Sequence, residues 1–301
     1  MTHDNHLIDG VNKDINIAFP DRDVYLELTK DFKSQLASPL LEVHENITIV
    51  REDYLTGGTK KRAAEFYISK ISRDVLVYVM PRVGMAAVAI MELAKLYNKE
   101  VIFFMPACKE ISDHQAYVIN QKPKEVIFER IAAMPNLNRL AQKYAQINDY
   151  AFLPFGLNHP YVIAGFVRVC EDLLKRYKEP QEIWTAVSTG VLTRGLQIGF
   201  PNAKMKGVCV ARNMKAGELG RTEVVSEPLG FYDKEKNCNL PPVPTVPSYD
   251  GKVWKYIPKD HDCDIWFWNV AKDIQCPLGF NKSEVKSYKE WEKNNEVHQN
   301  T

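Results

Sequence analysis

A chain of 301 residues, 45% hydrophobic and 26% charged, has the makeup of a soluble globular protein with room for one large core or two packed lobes. A formal net charge of +1 excludes a polybasic surface as its dominant feature, though not a local basic groove. Apolar runs stop short of the roughly 20 residues of a transmembrane helix; Met1–Asp14 is too polar for a signal peptide, and six scattered cysteines form no Cys-x-x-Cys pair. These features point to reduced thiols in a cytoplasm, with no metal site.

Residues 1–22 read as a lead-in. Apolar spacing at Val24, Leu26, Leu28, Phe32 and Leu36 predicts a short helix over Asp23–Leu36. Ile47–Asp53 is strand-like and runs into Gly57-Gly58-Thr59-Lys60-Lys61-Arg62. Two glycines permit a tight turn there, Thr59 is placed to cap, and a helix follows over Arg62–Ser72. Strands and helices then alternate. Strands are expected at Asp74–Met80, Glu100–Met105, Lys124–Phe128, Glu182–Val187 and Met205–Ala211, and helices at Gly84–Tyr97, Leu137–Ala145, His159–Tyr177 and Thr193–Phe200. This β-then-α order implies a mainly parallel sheet with helices on both faces. Pro241, Pro242, Pro244 and Pro247 mark a stiff irregular connection. Cys263–Val270 reads as the last sheet strand, and Ser283–Val297 as a charged surface helix or a frayed tail. No internal repeat is visible.

In open α/β sheets ligands sit beyond the carboxyl ends of strands, and three such junctions are unusual. In the first, Lys60 lies on a helix's first turn, where the dipole disfavours a cation. A lysine that does not stay an ammonium is a covalent catalyst, whereas a solvated Lys-Lys-Arg is the plainer reading. The second is Ser188-Thr189-Gly190-Val191-Leu192-Thr193, whose small residues, hydroxyls and helix-start amides suit a phosphate, or an ordinary capped helix. The third, Arg82-Val83-Gly84-Met85, offers an arginine that can hold a carboxylate or stay solvated. A reactive lysine with a phosphate cradle suggests pyridoxal 5'-phosphate, which joins a lysine as a Schiff base and serves as an electron sink.

These residues carry a resemblance to a known family. SPLLEV…ITIVREDYLTGGTKKRAAEFYI, VGMAAVAIMELAKLYNKEVIFFMP, FLPFGLNHPYVIAGFVRV and AVSTGVLTRGLQIGF stand in order over residues 38–212. They resemble the fold type II, tryptophan-synthase-β-like pyridoxal phosphate enzymes, most closely the aminocyclopropane-carboxylate deaminase / D-cysteine desulfhydrase branch. The resemblance implies a two-lobed α/β architecture with mainly parallel sheets flanked by helices. Its large cofactor lobe would take 38–72 and 150–282 and its small lobe 73–149, with 1–37 and 283–301 outside them. It places the Schiff-base lysine at Lys60 rather than Lys61, and phosphate binding at Ser188–Thr193. It implies a homodimer and a lyase or deaminase acting at the alpha carbon of a small amino acid.

The chain departs from the family where the polar loop that grips a substrate carboxylate becomes Val83-Gly84-Met85-Ala86, leaving Arg82 or backbone amides for that role. The phosphate loop's Ser-Thr becomes Val191-Leu192, and Asn269 is the candidate partner of the pyridine nitrogen. An apolar substrate loop also suits two other expectations. One is a viral enzyme, in a host cytoplasm, that decarboxylates or cleaves an amino acid attached to a nucleotide or DNA during thymine hypermodification. Lys204, Lys206, Arg212 and Lys215 would then line a basic groove. The other is a non-catalytic homologue. His159 reads as a capping or packing residue, His114 as a loop residue, Trp266 and Trp268 as core, and the cysteines as buried small hydrophobes.

Overall fold

The computed structural model describes residues 21–130, 134–211 and 219–285. The chain divides into two compact units, one of residues 1–67 and 158–273, the other of 68–157 and 274–301.

The first unit carries a six-stranded sheet built from β1 (Leu40–His44), β2 (Ile47–Arg51), β7 (Glu182–Val187), β8 (Lys204–Cys209), β9 (Glu223–Ser226) and β10 (Ile265–Asn269). Its order is β1-β2-β10-β7-β8-β9, antiparallel between β1 and β2 and parallel elsewhere. β10 is the last of the described strands in chain order yet lies in the middle of the sheet, which suits its fully buried IWFWN sequence. Trp266 and Trp268 are core residues: Phe200 meets Trp266 edge-on, with ring centroids 5.7 Å apart. Helices α1 (Arg22–Thr29), α2 (Gly58–Ser69, its last two residues counted with the other unit), α6 (Pro160–Leu174) and α7 (Val191–Gly199) complete this layer. Gly165 of α6 passes so close to α2 that a β-carbon would stand 2.1 Å from the Ala63 carbonyl oxygen.

Among the described residues, the buried cluster on one face of this sheet holds no α-helical residue. Ile47, Ile49, Trp184, Val208, Ile265 and Phe267 pack instead against Val243, Val253, Trp254 and Ile257 of the proline-bearing segment. That segment forms only short 3-10 turns at Asp250–Lys252 and Trp254–Tyr256, as its prolines preclude a continuous α-helix.

The second unit is a four-stranded parallel sheet, ordered β5-β4-β3-β6, from β3 (Val75–Val79), β4 (Glu100–Pro106), β5 (Glu125–Glu129) and β6 (Ala151–Phe152). Helices α3 (Met85–Leu96), α4 (Asp113–Asn120) and α5 (Met134–Ile147) accompany it. Val75, Val77, Val79, Ile102 and Phe104 form one buried cluster with Leu137, Ala141 and Ala145 of α5.

Several local expectations need correction. The first helix stops at Thr29, where the Thr29 hydroxyl folds back onto the Tyr25 carbonyl, rather than reaching Leu36. His114 lies in α4, not a loop, and is buried. Cys170 and Cys209 are buried, but Cys108, Cys263 and Cys276 are half-buried and Cys238 is exposed. Most of the charged C-terminal stretch, 286–301, lies outside the described residues. Among those described, no helix is long and apolar enough to cross a membrane, and no cluster of His, Cys, Asp and Glu suits a metal.

Candidate active site

α2 begins at Gly58, four residues earlier than its apolar pattern suggests, because the turn is locked to the end of β10. The Gly58 N–H donates to Leu55 O at 2.7 Å and the Thr59 N–H to Val270 O at 2.9 Å. Gly58 adopts φ 55°, and a β-carbon there would stand 2.0 Å from Val270 O, so only glycine fits. Thr59 does not cap the helix. It lies inside the first turn, buried, and its hydroxyl accepts a hydrogen bond from the Trp268 indole at 3.0 Å.

Lys60 follows on this first turn. Desolvation by the surrounding protein, and secondarily the positive charge of Arg194, lower its pKa to about 8. The residue nevertheless keeps partial solvent access, as a nucleophile requires. At pH 7 the neutral amine is about 300-fold more populated than for an ordinary lysine. Arg62, two residues further, pairs through Nε with both oxygens of the fully buried Glu52, at 2.7 and 2.9 Å. This pair ties α2 to the end of β2.

The second junction belongs to the same unit. β7 is followed by Ser188 and Thr189, both half-buried, and Gly190 takes the left-handed conformation at φ 76° before α7. No side chain caps α7, so its first amides are left to other acceptors. Val191 and Leu192 are buried. Thr193 is completely buried, and its hydroxyl has no hydrogen-bond partner. The Ser188 hydroxyl bonds the Tyr249 hydroxyl at 3.1 Å, and burial pushes the Tyr249 phenol up to about 12.

Asn269, at the end of β10, is also fully buried. Its Nδ2 donates to Asp53 Oδ1 at 3.0 Å and to Pro244 O at 2.9 Å, whereas its Oδ1 has no partner. Two acceptors on one side fix the amide's orientation, so the open atom is an acceptor awaiting a donor. Asp53 is held in turn by the Arg51 fork at 2.8 and 2.7 Å. Beside Asn269, Asp250 accepts from the Val246, Val270 and Ala271 N–H groups, while burial raises its pKa to about 7. Lys60, the Ser188–Thr193 loop and Asn269 thus share one unit. Val270 bonds both Thr59 and Asp250, and Tyr249, next in the chain to Asp250, meets Ser188.

Arg82–Met85 lies in the second unit. Arg82 is exposed and donates to the Glu110 carbonyl at 3.3 Å. Gly84 precedes α3 at φ 149° without a side-chain cap, and Val83 and Met85 are half-buried. His159 caps α6 in the first unit: Nδ1 accepts from the Tyr161 N–H at 3.1 Å, and the ring stacks on Tyr67 at 4.0 Å. Burial lowers its pKa to about 4, so it is neutral at pH 7 with its proton on Nε2. Of the expected basic groove, Lys206 is ion-paired with Glu223, Lys204 is exposed, and Arg212 and Lys215 lie outside the described residues.

Arg194, Tyr249 and Asp250 received no role from the sequence. Arg194 lies inside the loop motif, but nothing local says that it reaches Lys60. Tyr249 stands 61 residues from its partner in a segment without periodicity.

No family model matches the chain, and neither does any curated protein sequence. Solved structures do. An ACC deaminase homologue superposes with TM-score 0.69 at 16% identity, covering 83% of this chain and 95% of its own. Maize serine racemase gives 0.67 at 15%, covering 94% and 100%. A pyridoxal 5'-phosphate-dependent aspartate racemase gives 0.61 at 12%, covering 85% and 95%. The chain has the fold type II architecture that its motifs resemble.

Proposed function

We propose that this chain is a pyridoxal phosphate-dependent lyase or deaminase acting at the alpha carbon of an amino-acid substrate. One observation carries the reading: Lys60 stands, partly accessible, on the first turn of α2, directly after the turn that the Val270 carbonyl locks to the end of β10, and burial lowers the pKa of its amine. The unpartnered Thr193 hydroxyl and Asn269 Oδ1 support it, because each lacks a ligand atom of the kind this cofactor offers. When bound, pyridoxal phosphate supplies an aldehyde for a lysine amine and an electron sink for charge developing at the alpha carbon.

The chain's own residues take the remaining roles. Lys60 would hold the cofactor, and its neutral amine is the base that would take a substrate's alpha proton. Thr193 Oγ1 and the uncapped amides of α7 bind the phosphate, and Ser188 is oriented by Tyr249. Asn269 Oδ1 accepts from the pyridine N–H, its amide held in place by Asp53 and Pro244. A neutral acceptor favours the protonated ring less than a carboxylate would. Substrates attached to nucleotides or DNA have less support, since Lys206 is already ion-paired.

The test is the visible spectrum of the full-length protein with added pyridoxal phosphate, followed by borohydride reduction and peptide mapping. A visible absorption band and a reduced adduct on Lys60, lost in Lys60→Ala, are expected. A colourless protein that takes up no pyridoxal phosphate refutes the reading.

A further inference from the structure

Residues 219–221 form a brace that holds α7 at both ends. At the start, Leu219 is buried with Val187 and Cys209 at the ends of β7 and β8, and its Cδ2 would stand 2.5 Å from a β-carbon on Gly190. In the middle, the buried Gln197 amide is used on both sides. Its Nε2 donates to Thr193 O at 3.2 Å and to Leu219 O at 3.1 Å, and its Oε1 accepts from the Arg221 N–H at 3.2 Å. At the far end, the Arg221 guanidinium donates to three carbonyls: Gln197 O at 2.9 Å, Phe200 O at 2.5 Å and Ala203 O. The last carbonyls of a helix lack partners within it and carry the negative end of its dipole, so a guanidinium there answers both needs. The opposite end of the same helix carries the uncapped amides, with the unpartnered Thr193 hydroxyl one turn before Gln197.

We propose that Arg221 is a positioning residue for phosphate binding at α7. Acting through Gln197 and Leu219, it fixes where the Thr193 hydroxyl and the first amides of the helix stand, while the guanidinium itself lies at the far end. This role rests on the phosphate function assigned above to the start of α7. The helix has 9 residues, about two and a half turns, so a shift of its last turn is carried to its first. Hydrogen bonds weaken steeply when donor and acceptor fall out of line, and every donor that turns toward one phosphate depends on that placement. A cation at the carbonyl end also complements the dipole whose other end faces the anion.

The experiment titrates the full-length protein with pyridoxal 5'-phosphate and, separately, with pyridoxal, which has the same aldehyde and ring but no phosphate. Borohydride trapping on Lys60 reads both, and phosphorus NMR reads the binding of inorganic phosphate to the same samples. Wild type is compared with Arg221→Gln, Arg221→Lys and Leu219→Ala. The last loosens the brace at its other end and serves if an arginine variant fails to fold. Arg221→Gln should weaken pyridoxal 5'-phosphate and inorganic phosphate by about tenfold, the scale of one charge-assisted hydrogen bond, and leave pyridoxal unchanged. Arg221→Lys, which keeps the charge at the carbonyl end, should recover part of the loss. Leu219→Ala should weaken the two phosphate-bearing probes and spare pyridoxal.

The proposal is overturned if pyridoxal weakens as much as pyridoxal 5'-phosphate, which marks contacts that serve the fold alone, or if no variant changes phosphate affinity. Failure of the wider reading looks different: neither aldehyde leaves a reduced adduct on Lys60 of the wild type. Inorganic phosphate then decides. Weaker binding in Arg221→Gln upholds the role, and binding that is absent from wild type or equal in wild type and variants overturns it.

Discussion

Replacing Gly58 by alanine tests whether the turn before Lys60 is as tightly determined as its contacts indicate. The residue sits at φ 55°, and the new β-carbon would meet Val270 O at 2.0 Å and the Ala271 β-carbon at 2.7 Å. Left-handed backbone costs an alanine about 1–2 kcal/mol, and overpacking costs about 1–3 kcal/mol more. The upper part of that range applies here, because the nearest atom belongs to the backbone. The reduced entropy of the unfolded chain returns about 0.4–1 kcal/mol. A net loss of about 3 kcal/mol is expected. Gly279→Ala is the control, since Gly279 has φ 78° with nothing within 4 Å of the added atom, so it pays only the backbone cost of about 1 kcal/mol. Urea unfolding measures the first by tryptophan fluorescence, as Trp184, Trp254, Trp266 and Trp268 all lie in the first unit. Circular dichroism serves for the second. Gly58→Ala within about 0.5 kcal/mol of wild type would refute the steric argument, since that is the range of an inconsequential surface change.

Three other outcomes follow from the same geometry. Because the Lys60 pKa is lowered on folding, the unfolded chain binds more protons between about 8 and 10.5, so Lys60's contribution to stability rises with pH across that window and is flat below it. Comparing urea midpoints of wild type and Lys60→Met checks this; a difference independent of pH from 7 to 10 contradicts it. Asp250→Ala strands three buried N–H groups, those of Val246, Val270 and Ala271. It should cost about 3 kcal/mol in urea unfolding, and a loss under about 1 kcal/mol would show that Asp250 does not anchor the end of β10. Thr193→Val removes a buried hydroxyl with no partner, so the cofactor-free protein should keep or gain up to about 1 kcal/mol of stability. Titration with pyridoxal phosphate should show weaker uptake, and a clear loss of stability without cofactor would mean that the hydroxyl has a structural partner.

The alternation of elements was legible because each buried strand is a short apolar run and each helix carries its own periodicity. Glu182–Val187 has the bounds its residues suggest. The edges were not legible. β1 presents Leu40 and Val43 to solvent, and β9 has three of its four residues exposed, so neither shows the pattern of a buried strand. Lys60 drew attention through a local conflict between its charge and the helix dipole, which needs no knowledge of the fold. Thr59 misled for the opposite reason: its sequence suits a cap, but Trp268, 209 residues away, takes its hydroxyl. Arg194, Tyr249 and Asp250 act through partners that only the folded chain brings near, and no spacing rule marks them.

The place of β10 also governs when the molecule can become itself. It is the seam between a β1-β2 wing and a β7-β8-β9 wing, which share no hydrogen-bonded strand pair without it. A nascent chain halted before Ile265 holds two half-sheets and lacks the Val270 carbonyl that seats Thr59 and the Asn269 amide behind Asp53. The surroundings of Lys60 are therefore finished only once Trp268, 209 residues after Thr59, and the residues next to it have been made. A chain that stops before Ile265 carries the lysine but not the β10 neighbours that surround it.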